Sequence, residues 1–157
     1  MEIPKETVEI LPADARDFNM ISDALKQSKL VHQDLDPSLE HFFVARAGQQ
    51  ILGCIGLEWY GSTGLLRSMW VDEKHRNKGI AHALVTKLEE HACILGLKAL
   101  YLLTETAEAY FGKQGYQLMD RNLTPEELKN SAEFKSLCPA SAKLMFKLLN
   151  CGIVNKV

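Results

Sequence analysis

From Val71 to Ala81 the chain reads Val71-Asp72-Glu73-Lys74-His75-Arg76-Asn77-Lys78-Gly79-Ile80-Ala81, a polar stretch that leads into an apolar-periodic segment. Such a stretch can hold a phosphate group. Amides in the first turn of a helix have no intrahelical acceptor and carry the positive end of the helix dipole. Gly79 lets that backbone come close to an anion, Ala81 keeps the first turn uncrowded, and Lys74, Arg76 and Lys78 add positive charge. Alone, a basic loop with one glycine is as consistent with a solvated turn. Its position between a strand and a helix favours a pyrophosphate site. Neither G-x-x-x-x-G-K-[ST] nor G-x-G-x-x-G occurs, which excludes a Walker loop and a dinucleotide fingerprint.

The elements that must position this loop follow from periodicity. Leu65–Val71 alternates as a strand before it. After it, Ile80, Leu84, Leu88 and Ala92, with Ala81, Val85 and Leu95, form an apolar stripe of about four turns that Gly96 closes. Lys98–Thr104 is a further strand, so strand, crossover helix and strand predict a right-handed parallel unit. Upstream, Thr7–Leu11 reads as a first strand, and Asp14 as the cap of a helix running to about Ser28. Phe42–Ala47, Gln50–Trp59 and Leu65–Val71 form an antiparallel meander turned at Ala47-Gly48-Gln49 and Gly61–Gly64. Downstream, Thr106 caps a short helix through Gln114, Tyr116–Asp120 returns as a strand, and Thr124-Pro125-Glu126-Glu127 starts another helix. Ala142–Leu149 reads as a last strand, with helix as the alternative. The fold class is α/β or α+β with a mixed sheet.

Composition narrows the partner. The 157 residues are 46% hydrophobic and 24% charged, the usage of an ordinary globular domain, and residues 1–157 read as one domain. A domain of this length buries roughly two-thirds of its unfolded surface without a disulfide or metal staple. With 18 Lys and Arg against 20 Asp and Glu, the formal charge of −2 offers no footprint for nucleic acid or an anionic membrane. A small molecule is the expected partner, and a homodimer is compatible with the sequence. Cys54, Cys93, Cys138 and Cys151 form no C-x-x-C pair, and the five histidines show no metal-ligand spacing. They read as scattered thiols of a reducing cytosol, with no metal. The first residues carry no basic-then-apolar leader, and the longest apolar run is far short of the about 20 residues of a membrane span. A cytoplasmic protein is expected.

Two spaced motifs point further. Arg76-Asn77-Lys78-Gly79-Ile80-Ala81 resembles the [Arg/Gln]-x-x-Gly-x-[Gly/Ala] signature of the GNAT acetyltransferases. Ala107, Phe111 and Gly115-Tyr116, about one strand later, resemble that family's second signature. Together they span Leu65–Arg121, and the preceding helix and meander fit the family's order. Leu65-Leu66-Arg67-Ser68, Tyr101-Leu102-Leu103-Thr104, Leu137-Cys138-Pro139-Ala140-Ser141-Ala142 and Met145 look like the branch found in arsenic-resistance operons. The Leu-Arg-Ser strand and the Cys-Pro pair are similar also to amino-acid acetyltransferases of the N-acetylglutamate synthase type.

The resemblance implies a mostly antiparallel sheet with flanking helices and a splayed parallel pair, Leu65–Val71 and Lys98–Thr104, that receives acetyl-CoA. By resemblance, the backbone of Met69, Trp70 and Val71 pairs with the pantetheine arm, and the Val71 N–H stabilises the oxyanion. Arg76, Asn77, Lys78, Gly79, Ile80 and Ala81 hold the pyrophosphate. Thr104 stands where the family often has Asn, and Phe111 where relatives commonly have the Tyr that protonates the CoA thiolate, so both are read as cofactor contacts. Tyr110, ~100° round the helix from Phe111, reads as a packed or surface aromatic. The strand carboxylate of many relatives corresponds to Leu65, which leaves Glu58 as base and acceptor contact, or as an outward strand carboxylate. Arg67 shares a strand face with Met69 and Val71, and either clamps an acceptor oxyanion or pairs with a strand neighbour. Cys138 borders the acceptor pocket by resemblance, while Trp59 and Trp70 read as core. The function expected is an acetyl-CoA-dependent N-acetyltransferase of a small amine, an amino acid or amino-acid-like toxic compound. An acyl-CoA-binding module without catalysis and a protein acetyltransferase are the alternatives.

Overall fold

The computed structural model describes residues 7–152 of the chain; the N-terminal segment expected to carry no leader, residues 1–6, lies outside them. Seven strands form one sheet: β1 (Glu9–Pro12), β2 (Phe42–Ala47), β3 (Gln50–Tyr60), β4 (Thr63–Val71), β5 (Ala99–Thr104), β6 (Gln117–Met119) and β7 (Lys143–Leu148), in the order β1-β2-β3-β4-β5-β7-β6. Four α-helices accompany them: α1 (Phe18–Gln27), α2 (Ile80–Ile94), α3 (Glu108–Lys113) and α4 (Glu126–Lys129). β1–β2, β2–β3, β5–β7 and β6–β7 pair antiparallel, whereas in β4 and β5 Thr63, Gly64 and Leu65 face Ala99, Leu100 and Tyr101 in parallel. The mixed, mostly antiparallel sheet expected from the sequence is the one observed. So is the last strand, β7, which settles the choice between strand and helix.

The residues group into two compact units. The first comprises the chain to Gly56 together with Ser68–Lys87, and the second Leu57–Arg67 together with the chain from Leu88 onward. In the first, α1 lays Ile21 and Leu25 against Phe42, Val44, Ile51 and Cys54. The α1 spacing that puts those two side chains four apart on one stripe is what buries them. Asp14 caps a short 3-10 turn, Ala15–Asp17, through a reciprocal capping box with Asp17, and α1 proper begins after it. Arg46 of β2 holds the same Asp17 at 2.7 Å, which ties the start of α1 to the sheet. In the second unit, Leu65, Ala99, Tyr101, Leu128 and Leu144 form the core, with Phe134 and Phe146 packed on it.

Four local readings are corrected. Trp59 is 48% exposed, its indole N–H donating to the Gly61 carbonyl at 2.8 Å, so it is not core; Trp70 does pack on the α1 cluster. The hydroxyl at the start of α3 is that of Thr104, which accepts the Ala107 N–H at 2.9 Å; Thr106 caps nothing there. Thr124 turns its hydroxyl back to the Arg121 carbonyl, and the helix after it is one turn long, followed by a π-helical turn at Glu133–Leu137 that no periodicity announced. The fourth concerns sulfur. Cys93, near the end of α2, and Cys151, just beyond β7, are joined as a disulfide with Cα atoms 5.4 Å apart, so they are not dispersed thiols. A separation of 58 residues hides that pair from any spacing rule, because the fold and not the local sequence brings the ends together. Cys54 and Cys138 are free.

Candidate active site

The loop after β4 has the backbone that an anion cradle needs. Asn77 and Gly79 both take positive φ, 63° and 84°, on either side of Lys78. Asn is among the few side chains that tolerate this region, and Gly carries no penalty there. Nothing lies within 4 Å of where a Cβ on Gly79 would be, so the space beside that backbone is open. The first intrahelical bond of α2 runs from the Ala83 N–H to the Gly79 carbonyl at 3.0 Å, which leaves the amides of Ile80 and Ala81 ahead of it. Lys74, Arg76, Asn77 and Lys78 are exposed, while Ile80 is buried and anchors the helix. The Arg76 guanidinium is steadied by its Nε–H, which donates to the Val71 carbonyl at 3.2 Å. His75 Nδ1 meets Asp72 Oδ2 at 2.6 Å across the preceding 3-10 turn. An open glycine, exposed cations and unpaired helix amides together fit a pyrophosphate.

The strand leading into this loop is bent on purpose. Ser68 has φ 59°, a left-handed backbone in the interior of β4, between the buried Arg67 and Met69. Such a residue breaks the pleat and turns the strand locally, as a bulge does. Met69 and Trp70 are partly exposed and Val71 is 9% exposed.

In the second unit, three chain segments converge on Arg67. Its side chain is 3% exposed; Nη1 donates to Glu58 Oε1 at 3.0 Å, and Nε lies 3.4 Å from Glu133 Oε2. The Tyr60 hydroxyl donates to the other Glu58 oxygen at 2.9 Å. The Cys138 thiol donates to Glu133 Oε1 at 3.3 Å, and burial beside that carboxylate pushes the thiol up to about 12. Glu58, Arg67 and Cys138 thus belong to one hydrogen-bonded cluster, and Glu58, with 22% of its side chain exposed, is its more open carboxylate. Arg121 steadies the Cys138–Ala142 loop by donating from Nη1 to the carbonyls of Pro139, Ala140 and Ala142 at 3.1–3.2 Å.

Glu133, Tyr60 and Arg121 were not singled out from the sequence. Tyr60 was within reach, since it sits two residues from Glu58 and so on the same strand face. No signal placed Glu133, because it reaches Arg67 from a π-helical turn far along the chain. Of the second motif, Phe111 is 5% exposed and packs edge-on to Tyr116 with ring centres 5.6 Å apart. Tyr116 donates to Glu89 at 2.9 Å, and Lys147 bridges Glu89 to the Gln114 carbonyl. The Tyr110 hydroxyl is buried without a hydrogen-bond partner, and burial raises its pKa.

The mixed, mostly antiparallel sheet with one parallel pair and flanking helices matches the fold of solved acetyltransferases. Residues 38–118 match the acetyltransferase (GNAT) domain. The chain belongs to the GNAT family and is an N-acetyltransferase. It is 28% identical over 121 residues to an uncharacterized N-acetyltransferase of Chlorobaculum tepidum, covering 74% of this chain and 77% of that one. Among solved structures it is similar to N-acetylglutamate synthase from Neisseria gonorrhoeae, complexed with coenzyme A and N-acetyl-glutamate, at a TM-score of 0.78 and 17% identity. That match covers 93% of this chain but only 36% of the synthase, so the chain spans about a third of its length. A Mycobacterium tuberculosis protein in complex with CoA aligns at a TM-score of 0.74 and 22% identity, over 90% of this chain and 99% of that one.

Proposed function

We propose that the protein transfers the acetyl group of acetyl-CoA to the amine of a small molecule, an amino acid or an amino-acid-like toxic compound, in the cytoplasm. The open left-handed turn at Asn77–Gly79, between exposed cations and the first amides of α2, is the observation that carries the cofactor assignment. Arg76 through Ala81 take the pyrophosphate, and the backbone of Met69 to Val71 takes the pantetheine arm. The amine nitrogen attacks the thioester carbonyl carbon, the Val71 N–H stabilises the oxyanion, and collapse breaks the C–S bond and releases the CoA thiolate. A thiol with a generic pKa of about 8.5 is a competent leaving group, so Phe111 in place of a tyrosine does not block the step.

The acceptor side rests on the cluster around Arg67. Glu58 takes the proton of the acceptor's ammonium, directly or through water, so that the neutral amine attacks; the proton that the nitrogen sheds on collapse goes to the CoA thiolate. Arg67 and Tyr60 fix the direction of its oxygens. The resemblance of Leu65–Ser68, Tyr101–Thr104 and Leu137–Ala142 to the arsenic-operon branch supports an amino-acid-like acceptor, with Arg67 and Cys138 lining its pocket.

Two variants test the two halves separately. Gly79→Val puts a β-branched side chain at positive φ and should weaken CoA binding at least tenfold by calorimetry; unchanged affinity removes the cradle assignment. Glu58→Gln should leave CoA affinity intact and lower turnover, followed as free thiol release with an amine panel, by about 100-fold or more. Wild-type turnover in that variant removes Glu58 as the base.

A further inference from the structure

We infer that Gly53 and Cys54 of β3 are positioning residues for the cofactor strand, holding the bent Ser68–Asp72 segment in the shape that acetyl-CoA requires. The inference rests on the assignment of Met69–Val71 to the cofactor. Three consecutive residues of β3 grip that segment, each by a different contact. The Asp72 N–H donates to the Leu52 carbonyl at 2.7 Å. Gly53 lets the Trp70 carbonyl come so near that an added Cβ would lie 2.8 Å from its oxygen and 3.1 Å from Leu84 Cδ1. The Cys54 thiol, fully buried, donates to the Ser68 carbonyl at 3.2 Å.

The last contact falls at the bend itself: Ser68, at φ 59°, interrupts the strand, and the Cys54 S–H meets its carbonyl there. Cys54 lies in an apolar cluster with Ile21, Leu25, Phe42 and Val44. A thiol is small enough for that core and still supplies an S–H. Val in its place would fill the volume and supply none. Neither residue touches the ligand in this scheme. They act through Ser68 and Trp70, whose neighbours Met69 and Val71 present the backbone.

Calorimetry with CoA on Cys54→Val, Cys54→Ser and Gly53→Ala tests this, with Gly79→Val measured in parallel. The expected pattern is about tenfold weaker CoA binding in Cys54→Val and Gly53→Ala, with Cys54→Ser, which keeps a donor, within about threefold of wild type. Thermal stability that falls equally in Cys54→Ser and Cys54→Val while only the latter loses affinity would separate positioning from packing. Wild-type affinity in both Cys54→Val and Gly53→Ala overturns the inference, as does Cys54→Ser binding as poorly as Cys54→Val. If Cys54→Val and Gly53→Ala do not accumulate as folded protein, the Cys54→Ser affinity decides: retention supports the inference and a tenfold loss overturns it. Failure of the cofactor assignment has its own signature, since Gly79→Val would then bind CoA normally.

Discussion

Both oxygens of Glu58 are engaged, one by Arg67 and one by Tyr60, so the carboxylate is aimed rather than loose. Arg67 in turn lies between Glu58 and Glu133, which makes the guanidinium the centre of a buried ion-pair frame. Neither free cysteine is poised for covalent chemistry. Burial pushes the Cys54 thiol up to about 12, and burial beside Glu133 does the same for Cys138. Neither is a nucleophile near neutrality, because the thiolate is the reactive form. The sign for stability follows. Both folded pKa values exceed the unfolded one near 9, so the folded state binds more protons above that pH. The stability from these thiols is complete below about pH 9 and falls as pH rises toward 12. Urea midpoints should therefore drop between pH 9 and pH 11, and Cys54→Ser should retain less stability at pH 8 but show a shallower alkaline fall.

At the scale of elements, the bend in β4 is the feature that matters. Ser68 pays a left-handed penalty of about 1 kcal/mol that glycine would not. Ser68→Gly is expected to raise stability, by up to about 1 kcal/mol in chemical denaturation, whereas Ser68→Val should lower it by more than that. Regular elements were legible because their patterns are local: the α2 stripe from Ile80 to Ala92, the apolar runs of β2–β4 and the β7 run all appear where the pattern places them. The strand, cationic turn and helix around Gly79 were legible for the same reason, since they are contiguous. The bend was not, because Ser68 is an ordinary strand residue by type, and its contact with Cys54 joins residues 14 apart in the chain. Glu133 was hidden by distance along the chain and by a π-helical turn whose period matches neither helix nor strand template.

For the molecule as a whole, the Cys93–Cys151 bond is the largest departure from expectation. It closes a loop of 58 residues, for which chain entropy predicts about 4 kcal/mol of stabilisation. Reduction, or Cys93→Ser, should lower the melting temperature by about 10 °C in a protein of this size, as read by calorimetry with and without reductant. An unchanged melting temperature would mean that the bond does not form in solution. The free cysteines give a built-in control, because neither is positioned to exchange with it without unfolding: Cys54 is fully buried and Cys138 is held on Glu133.

The same bond has a mechanical consequence. It short-circuits the path of tension between handles placed before residue 93 and after residue 151, so β5, α3, β6, α4 and β7 carry no load however far the outer chain is drawn out. Pulled by such handles, the oxidised protein should extend about 200 Å less than the reduced one, the contour of the enclosed residues at about 3.4 Å each.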